Sequence, residues 1–387
     1  MSRNIGLYIH IPICRSKCYY CDFSSYPLNR FTEKDLDLYV LALEYELKHL
    51  ASLGLASTEL TSVYIGGGTP ALIDPARLVL IMESVVRYFT LANSCELTIE
   101  LNPSNCTPNL LRGLQKAGFN RYSLGVQSFN DPALLQLGRA HTGEEARAAA
   151  QFLRQEVSNL SLDLIYGLPN DSLARWQADL EEVLVLQPDH ISLYSLQVEE
   201  GTPLARQVAA GLVEQVDDDL QASLWEWTCD RLYPTDYEHY EISNWALPGK
   251  ESRHNLGYWL YTPYYGVGAG AAGFLGGQRY RNSSDPWFYT ELMRKGKFTA
   301  KFPAAEEVER ISKEQQVIGQ IILALRTNRG LNTERIIGIS AAEFWRRYGQ
   351  KITEYCAMGL MWRNQQIVGL TETGMALSNR IFLTFMP

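Results

Sequence analysis

At 387 residues the chain exceeds what one minimal core serves, so a large domain with one or two smaller ones is expected. Its hydrophobic content of 46% is that of an ordinary soluble globular protein, and a formal net charge of -8 argues against a nucleic-acid partner, whose phosphates are bound by surplus Lys and Arg. The longest candidate membrane stretch, Gly266 to Gly277, is too short and too rich in glycine to span a bilayer; no membrane span is expected, while peripheral contact with a membrane stays open.

In chain order, Ile5 to Ile11 is apolar with little alternation and predicts a buried parallel strand. It runs into I-C-R-S-K-C-Y-Y-C-D-F, which carries Cys14, Cys18 and Cys21. From Thr32, an N-cap, the residues Leu36, Tyr39, Val40, Leu43, Leu47 and Leu50 recur at helical spacing. Val63 to Ile65 predicts a second strand, followed by Gly66-Gly67-Gly68-Thr69-Pro70 and a helix with Asp74 as cap and Pro75 in its first turn. Cys95 to Leu101 predicts a third strand, and Thr107-Pro108 opens a helix that Gly118 closes. Further strands are predicted at Arg121 to Val126, Leu160 to Tyr166 and Ile191 to Leu196, with helices at Gly143 to Val157 and Asp171 to Leu186 between them. Six strand-helix units imply a parallel sheet with right-handed crossovers, two units short of a closed barrel. The fold class is therefore α/β, an open, curved partial barrel whose functional residues sit on the loops after the strands.

Beyond the barrel, Asp217 to Leu232 reads as a helix and Tyr237 to Ser243 as a strand. The glycines of Gly266 to Gly277 predict a close backbone approach or a groove lining, beside Tyr258, Trp259, Tyr261, Tyr264 and Tyr265. From about Ala304 a small, mainly helical domain is expected, with a long helix at Glu306 to Leu325, shorter ones at Ala341 to Tyr348 and Lys351 to Met358, and a winged-helix-like wing at Leu360 to Leu370. On an acidic chain such a unit is more consistent with a lid or a partner-docking role than with DNA binding. The expected division is 1–235, 236–303 and 304–387.

Three thiols within eight residues suit an iron–sulfur cube with one iron left open for chemistry. A Cys3His zinc site using His10 would want a second ligand pair, which the chain lacks. A disulfide cluster would need an oxidising compartment, and no apolar signal segment precedes the cysteines. Cys95, Cys106, Cys229 and Cys356 are isolated and read as buried or free thiols in a reducing, cytoplasmic setting. The glycine loop has neither the Gly-Lys-Ser/Thr ending of a P-loop nor a G-x-G-x-x-G spacing; it offers bare backbone to a ligand, or simply a tight turn. Glu100 and Asp163 interrupt apolar strand ends, where a buried carboxylate needs either an internal Arg or an amine or ribose to bind. His254-Asn255-Leu256-Gly257-Tyr258-Trp259 sets an imidazole among flat aromatic rings, as a haem site would, or as a hydrogen-bonded core histidine would.

The C-x3-C-x2-C spacing, with an aromatic residue before the last cysteine, resembles the radical S-adenosylmethionine superfamily. The succession Tyr8-Ile9-His10-Ile11-Pro12, G-G-G-T-P, T-I-E-L-N-P, S-L-G-V-Q-S-F and L-D-L-I-Y-G-L-P is similar, over nearly the whole chain, to the branch containing oxygen-independent coproporphyrinogen III dehydrogenase and the haem chaperones. That resemblance implies a radical SAM (β/α)6 partial barrel and a [4Fe-4S] cluster on Cys14, Cys18 and Cys21. It also implies a pocket for S-adenosyl-L-methionine lined by Tyr8, Tyr20, Gly67, Gly68, Thr69, Glu100, Gln127, Arg139, Asp163 and Gln197. By itself Arg139 reads as a surface residue. Phe23 stands where the dehydrogenase has a fourth cysteine, the long N-terminal extension of the dehydrogenase has no counterpart before the first strand, and H-N-x-x-Y-W matches the chaperones. The implied function is binding of haem near His254, Asn255, Tyr258 and Trp259 and its transfer to an unidentified acceptor protein, with an electron donor as a further partner and a monomer or dimer as the assembly. The alternative is the enzyme, in which a 5'-deoxyadenosyl radical starts the oxidative decarboxylation of coproporphyrinogen III.

Overall fold

The computed structural model describes residues 4–55 and 59–386. Strands β1 (Asn4–Ile11), β2 (Glu59–Gly67), β3 (Leu91–Leu101), β4 (Arg121–Gln127), β5 (Leu160–Tyr166) and β6 (His190–Ser195) lie side by side in chain order, each parallel to the next. Parallel neighbours need crossovers, which α1 (Glu33–Leu50), α2 (Pro75–Tyr88), α3 (Pro108–Lys116), α4 (Gly143–Glu156) and α5 (Leu173–Leu186) supply, while α6 (Asp218–Leu232) follows β6. This is the (β/α)6 partial barrel. Local chemistry sets the helix starts: Thr32 and Asp35 form a capping box at α1, Asp74 accepts from Ala76 N with Pro75 in the first turn of α2, and Thr107 caps α3.

β1 departs from the expected continuous apolar run. Ile5, Leu7, Ile9 and Ile11 pack into the core shared with the helices, whereas Gly6, Tyr8 and His10 face the barrel lumen. A curved barrel with helices on one side and a ligand lumen on the other gives each strand two different faces. The lumen positions of the other strands carry groups that hydrogen-bond across it, such as Ser62, Tyr64, Glu100, Ser123, Ser161, Asp163 and His190.

Residues after 235 extend the same sheet at both edges. An antiparallel hairpin of β7 (Glu238–Glu241) and β8 (Asn244–Ala246) adds to β6, followed by a short helix α7 (Arg253–Trp259). At the far edge β9 (Tyr264–Val267) pairs parallel to β1, and β10 (Ala272–Leu275), β11 (Gln278–Asn282) and β12 (Ala305–Arg310) continue antiparallel. Among the described residues the strand order is β12-β11-β10-β9-β1-β2-β3-β4-β5-β6-β8-β7. The glycine-rich stretch runs from the end of β9 through β10 to the β10–β11 turn, and a Cβ on Gly266 would sit 1.9 Å from the Ala272 carbonyl oxygen, so the backbones do approach closely there.

Two helix expectations are corrected. The long helix at Glu306 to Leu325 is a strand and a helix: β12 pairs with β11, with Glu307 against Arg281 at 2.6 Å, and α8 (Lys313–Leu325) starts at a Ser312–Gln315 capping box. Cross-strand pairing overrides the helix-forming glutamates here. The two short helices at Ala341 to Tyr348 and Lys351 to Met358 are one helix, α9 (Ala341–Ala357), because neither Gly349 nor Gln350 brings a cap that would end it. With β13 (Leu331–Asn332), β14 (Met361–Asn364) and β15 (Ile367–Leu370) in the order β13-β15-β14, α8 and α9 form the smaller winged-helix-like unit. Among the described residues no helix is long and apolar enough to cross a membrane.

Candidate functional site

A cavity of about 440 Å³ opens where β1 to β6 end. Its wall takes Cys14, Cys18, Tyr20 and Cys21 from the loop after β1, Gly67, Gly68 and Thr69 at the end of β2, Glu100 from β3, Gln127 from β4, Arg139 beyond it, Asp163 from β5 and Gln197 after β6. Tyr8 is the residue expected there that is absent from this wall. It is set back in the lumen, its hydroxyl 2.9 Å from His10 Nδ1 and its ring beside those of Tyr64 and His254.

The donor set fits a cluster held by three thiolates. All three cysteines are free thiols and line the same cavity. His10 is not available as a fourth ligand, because Nδ1 meets Tyr8 and Nε2 lies 2.8 Å from the Ser24 carbonyl. Burial raises the Cys14 thiol and pushes Cys21 up to about 11. Iron binding requires these protons to leave, and Arg139 supplies local positive charge with Nη1 3.5 Å from Cys18 Sγ. Arg139 is thus no surface residue: its Nη2 also donates to the Gly125 carbonyl at 2.7 Å.

The glycine loop is shaped by the cluster loop as well as by any ligand. Gly67 has φ +114°, and a Cβ on it would lie 2.6 Å from the His10 ring; one on Gly68 would lie 2.4 Å from the Ile13 carbonyl oxygen. Only glycine permits that approach. Glu100 accepts from Tyr64 Oη at 2.8 Å and from Gly67 N at 3.1 Å, and burial pushes its carboxyl up to about 7. Asp163 accepts from Ser123 at 2.8 Å and Ser161 at 2.9 Å. Among the described residues neither carboxylate has an ion pair at contact distance; the internal Arg is Arg121, buried in the barrel, whose charge acts on both from farther off. Gln127 takes φ +66°, an uncommon conformation for a residue with a side chain, just where β4 turns into the wall.

A second cavity, of about 400 Å³, opens at the other end of the same strands, where Gly6, Thr61, Ser62 and Ser94 meet Arg253, His254, Leu256, Gly257 and Tyr258 of α7 and Arg329 beyond α8. Glu96, on the lumen face of β3, accepts from the backbone N–H groups of Arg253 at 2.9 Å and His254 at 3.1 Å and so ties α7 to the barrel floor. His254 is buried, with Nδ1 2.9 Å from Ser62 Oγ and Nε2 2.7 Å from Tyr258 Oη. Burial, then the Arg121 guanidinium, lower its pKa to about 3, which keeps the imidazole neutral. Asn255 and Trp259 are outside the cavity wall, and Trp259 packs under the Arg326 guanidinium at 4.6 Å. Nor does the glycine-rich stretch line it; Tyr264 does.

The Radical SAM superfamily model matches residues 8–183. The heme chaperone HemW of Lactococcus lactis is 33% identical over 380 residues, covering 98% of this chain and 96% of that protein. The heme chaperone HemW of Mycobacterium tuberculosis is 34% identical over 382 residues, with 98% and 94% covered. The chain belongs to the HemW family. The fold is shared with coproporphyrinogen III oxidase (HemN) of Escherichia coli, at a TM-score of 0.82 and 23% identity over 99% of this chain and 90% of that one.

Within this HemW-family barrel, Tyr64 is a residue that motif reading passed over. Its hydroxyl holds Glu100 in the first cavity while its ring lies 5.2 Å from that of His254 at the second. The alternation Ser62, Tyr64, Gly66 along β2 is the signal that marks it as inward-facing. Ser62, Glu96 and Arg121 were missed for the same reason: they belong to strand interiors rather than to the loops.

Proposed function

We propose that the chain binds haem in the second cavity and passes it to an acceptor protein, while the first cavity holds a [4Fe-4S] cluster and S-adenosyl-L-methionine. The observation that carries this reading is the pair of cavities at opposite ends of one barrel, three thiols in one and the His254–Tyr258 pair in the other. When bound, the cluster and S-adenosyl-L-methionine supply one-electron chemistry that the protein itself lacks. Cys14, Cys18 and Cys21 hold the cluster, and Glu100 and Asp163, oriented by Tyr64, Gly67, Ser123 and Ser161, present acceptors to amine and ribose hydroxyl groups. The 400 Å³ volume is in the range of ligand pockets, and Leu256, Leu260, Pro263 and Tyr264 give it apolar wall for a macrocycle. A cytoplasmic location, where thiols stay reduced, fits the seven free cysteines.

The competing reading is the dehydrogenase. Phe23 lines the first cavity and is 57% exposed, an apolar ring where a fourth cysteine would stand in that enzyme. Anaerobic incubation of the reconstituted protein with coproporphyrinogen III, S-adenosyl-L-methionine and reductant is expected to give no protoporphyrinogen. Substrate-dependent decarboxylation would assign the chain to the enzyme instead.

A further inference from the structure

The second cavity carries two guanidinium groups that the barrel does not use. Arg253, exposed, donates Nη1 to the Ser94 carbonyl at 2.5 Å, and its remaining donors have no side-chain partner among the described residues. Arg329 arrives from the loop beyond α8, 52% exposed, with Glu251 Oε1 at 3.9 Å as its one ion-pair partner among the described residues. Two cations therefore line the cavity beside one carboxylate, Glu251, which among the described residues only Arg329 approaches, on a chain whose formal net charge is -8. On a chain of this net charge, a ligand bearing two carboxylates would be repelled unless positive charge were placed locally, beside the apolar wall of Leu256, Leu260, Pro263 and Tyr264.

We propose that Arg253 and Arg329 bind the two propionate carboxylates at one edge of the tetrapyrrole and so fix which way round it enters the second cavity. The proposal rests on the reading that this cavity receives haem. A guanidinium offers paired donors in the plane that a carboxylate requires, which a lysine would not. The macrocycle then points its apolar edge toward Leu256 and Tyr258 and keeps its charged edge at the solvent-exposed guanidiniums. Because Arg329 comes from the C-terminal part of the chain, that part completes the site.

The test is titration of wild type and of an Arg253→Gln/Arg329→Gln variant with hemin, with hemin dimethyl ester and with protoporphyrin IX. Wild type is expected to bind hemin and protoporphyrin IX roughly tenfold or more tighter than the double variant does, while the dimethyl ester binds both proteins alike. Equal affinity of wild type for hemin and its dimethyl ester, or an equal loss of all three ligands in the double variant, overturns the proposal. Gly257→Trp separates this from failure of the underlying reading. Gly257 lines the cavity and a Cβ there meets nothing closer than Thr262 at 3.8 Å, so the Trp side chain starts from α7 without a clash at its first atom, and an unchanged far-UV circular dichroism spectrum and cluster content of the variant show that the fold is kept. Unchanged hemin binding by Gly257→Trp would place the haem elsewhere and end both claims.

Discussion

The hydroxyl of Tyr258 lies 2.7 Å from Nε2 of His254, one turn away on α7, and it covers one of the two nitrogens that an iron ligand could present. With Ser62 on Nδ1, both ring nitrogens are occupied. Iron ligation by His254 therefore requires one of the two hydroxyls to move, Tyr258 for ligation through Nε2 or Ser62 for ligation through Nδ1. Tyr258→Phe removes the competitor at Nε2, and the hydrogen bond it breaks is worth about 1 kcal/mol. Ferric haem is expected to bind the variant at least as tightly as wild type, up to about fivefold tighter, with a more imidazole-like absorption spectrum. Weaker binding with an unchanged spectrum would show that His254 is not the ligand through Nε2.

The cluster prediction follows from the cavity wall. Cys14, Cys18 and Cys21 line it, while Cys95 and Cys229 are buried in the core and Cys106 and Cys356 pack at its margin. Alanine at any of the first three should abolish the reconstituted cluster, and serine at any of the other four should leave it intact. Iron and sulfide analysis decides this; wild-type iron in Cys18→Ala would remove the cluster assignment.

Element order and the first cavity were legible because their signals are local. Caps, Pro75 and the apolar runs fix the strand-helix alternation, and the motif segments at the strand ends deliver Cys14, Gly67 and Glu100 to one rim. What stayed hidden depends on pairing across the chain. Glu306 to Arg310 looks helical until β11 is beside it, and 236–303 looks like an appendage until β9 pairs with β1. Tyr8 and Trp259 stand in the right motifs yet line neither cavity, Tyr8 because it is set back in the lumen between them and Trp259 because it packs under Arg326, since a motif gives proximity but not depth or side-chain direction. The second cavity's Arg329 lies 76 positions beyond Arg253, a separation no local signal bridges.

Glu46 predicts a pH dependence. It is buried on α1, accepts from Gly268 N at 2.9 Å, Asn282 Nδ2 at 2.8 Å and Tyr289 Oη at 2.6 Å, and burial pushes its pKa up to about 7. The folded state thus keeps a proton that the unfolded chain releases near 4.5, so the stability contributed by Glu46 is complete below pH 4.5 and is lost as pH rises through about 7. Wild type should lose on the order of 3 kcal/mol relative to Glu46→Gln between pH 4.5 and 8. Denaturant unfolding of both proteins across that range measures the difference; parallel pH profiles would contradict it.

The proposed haem site and cluster site are separable, because their residues sit at opposite ends of the barrel. Anaerobic hemin titration of wild type, Cys14→Ala and His254→Ala, followed at the Soret band alongside iron and sulfide content, tests this arrangement most directly. Cys14→Ala is expected to lose its cluster and keep wild-type hemin affinity, while His254→Ala is expected to keep its cluster and bind hemin more weakly or with an altered band. Loss of hemin binding in Cys14→Ala, or wild-type binding and spectrum in His254→Ala, would contradict it.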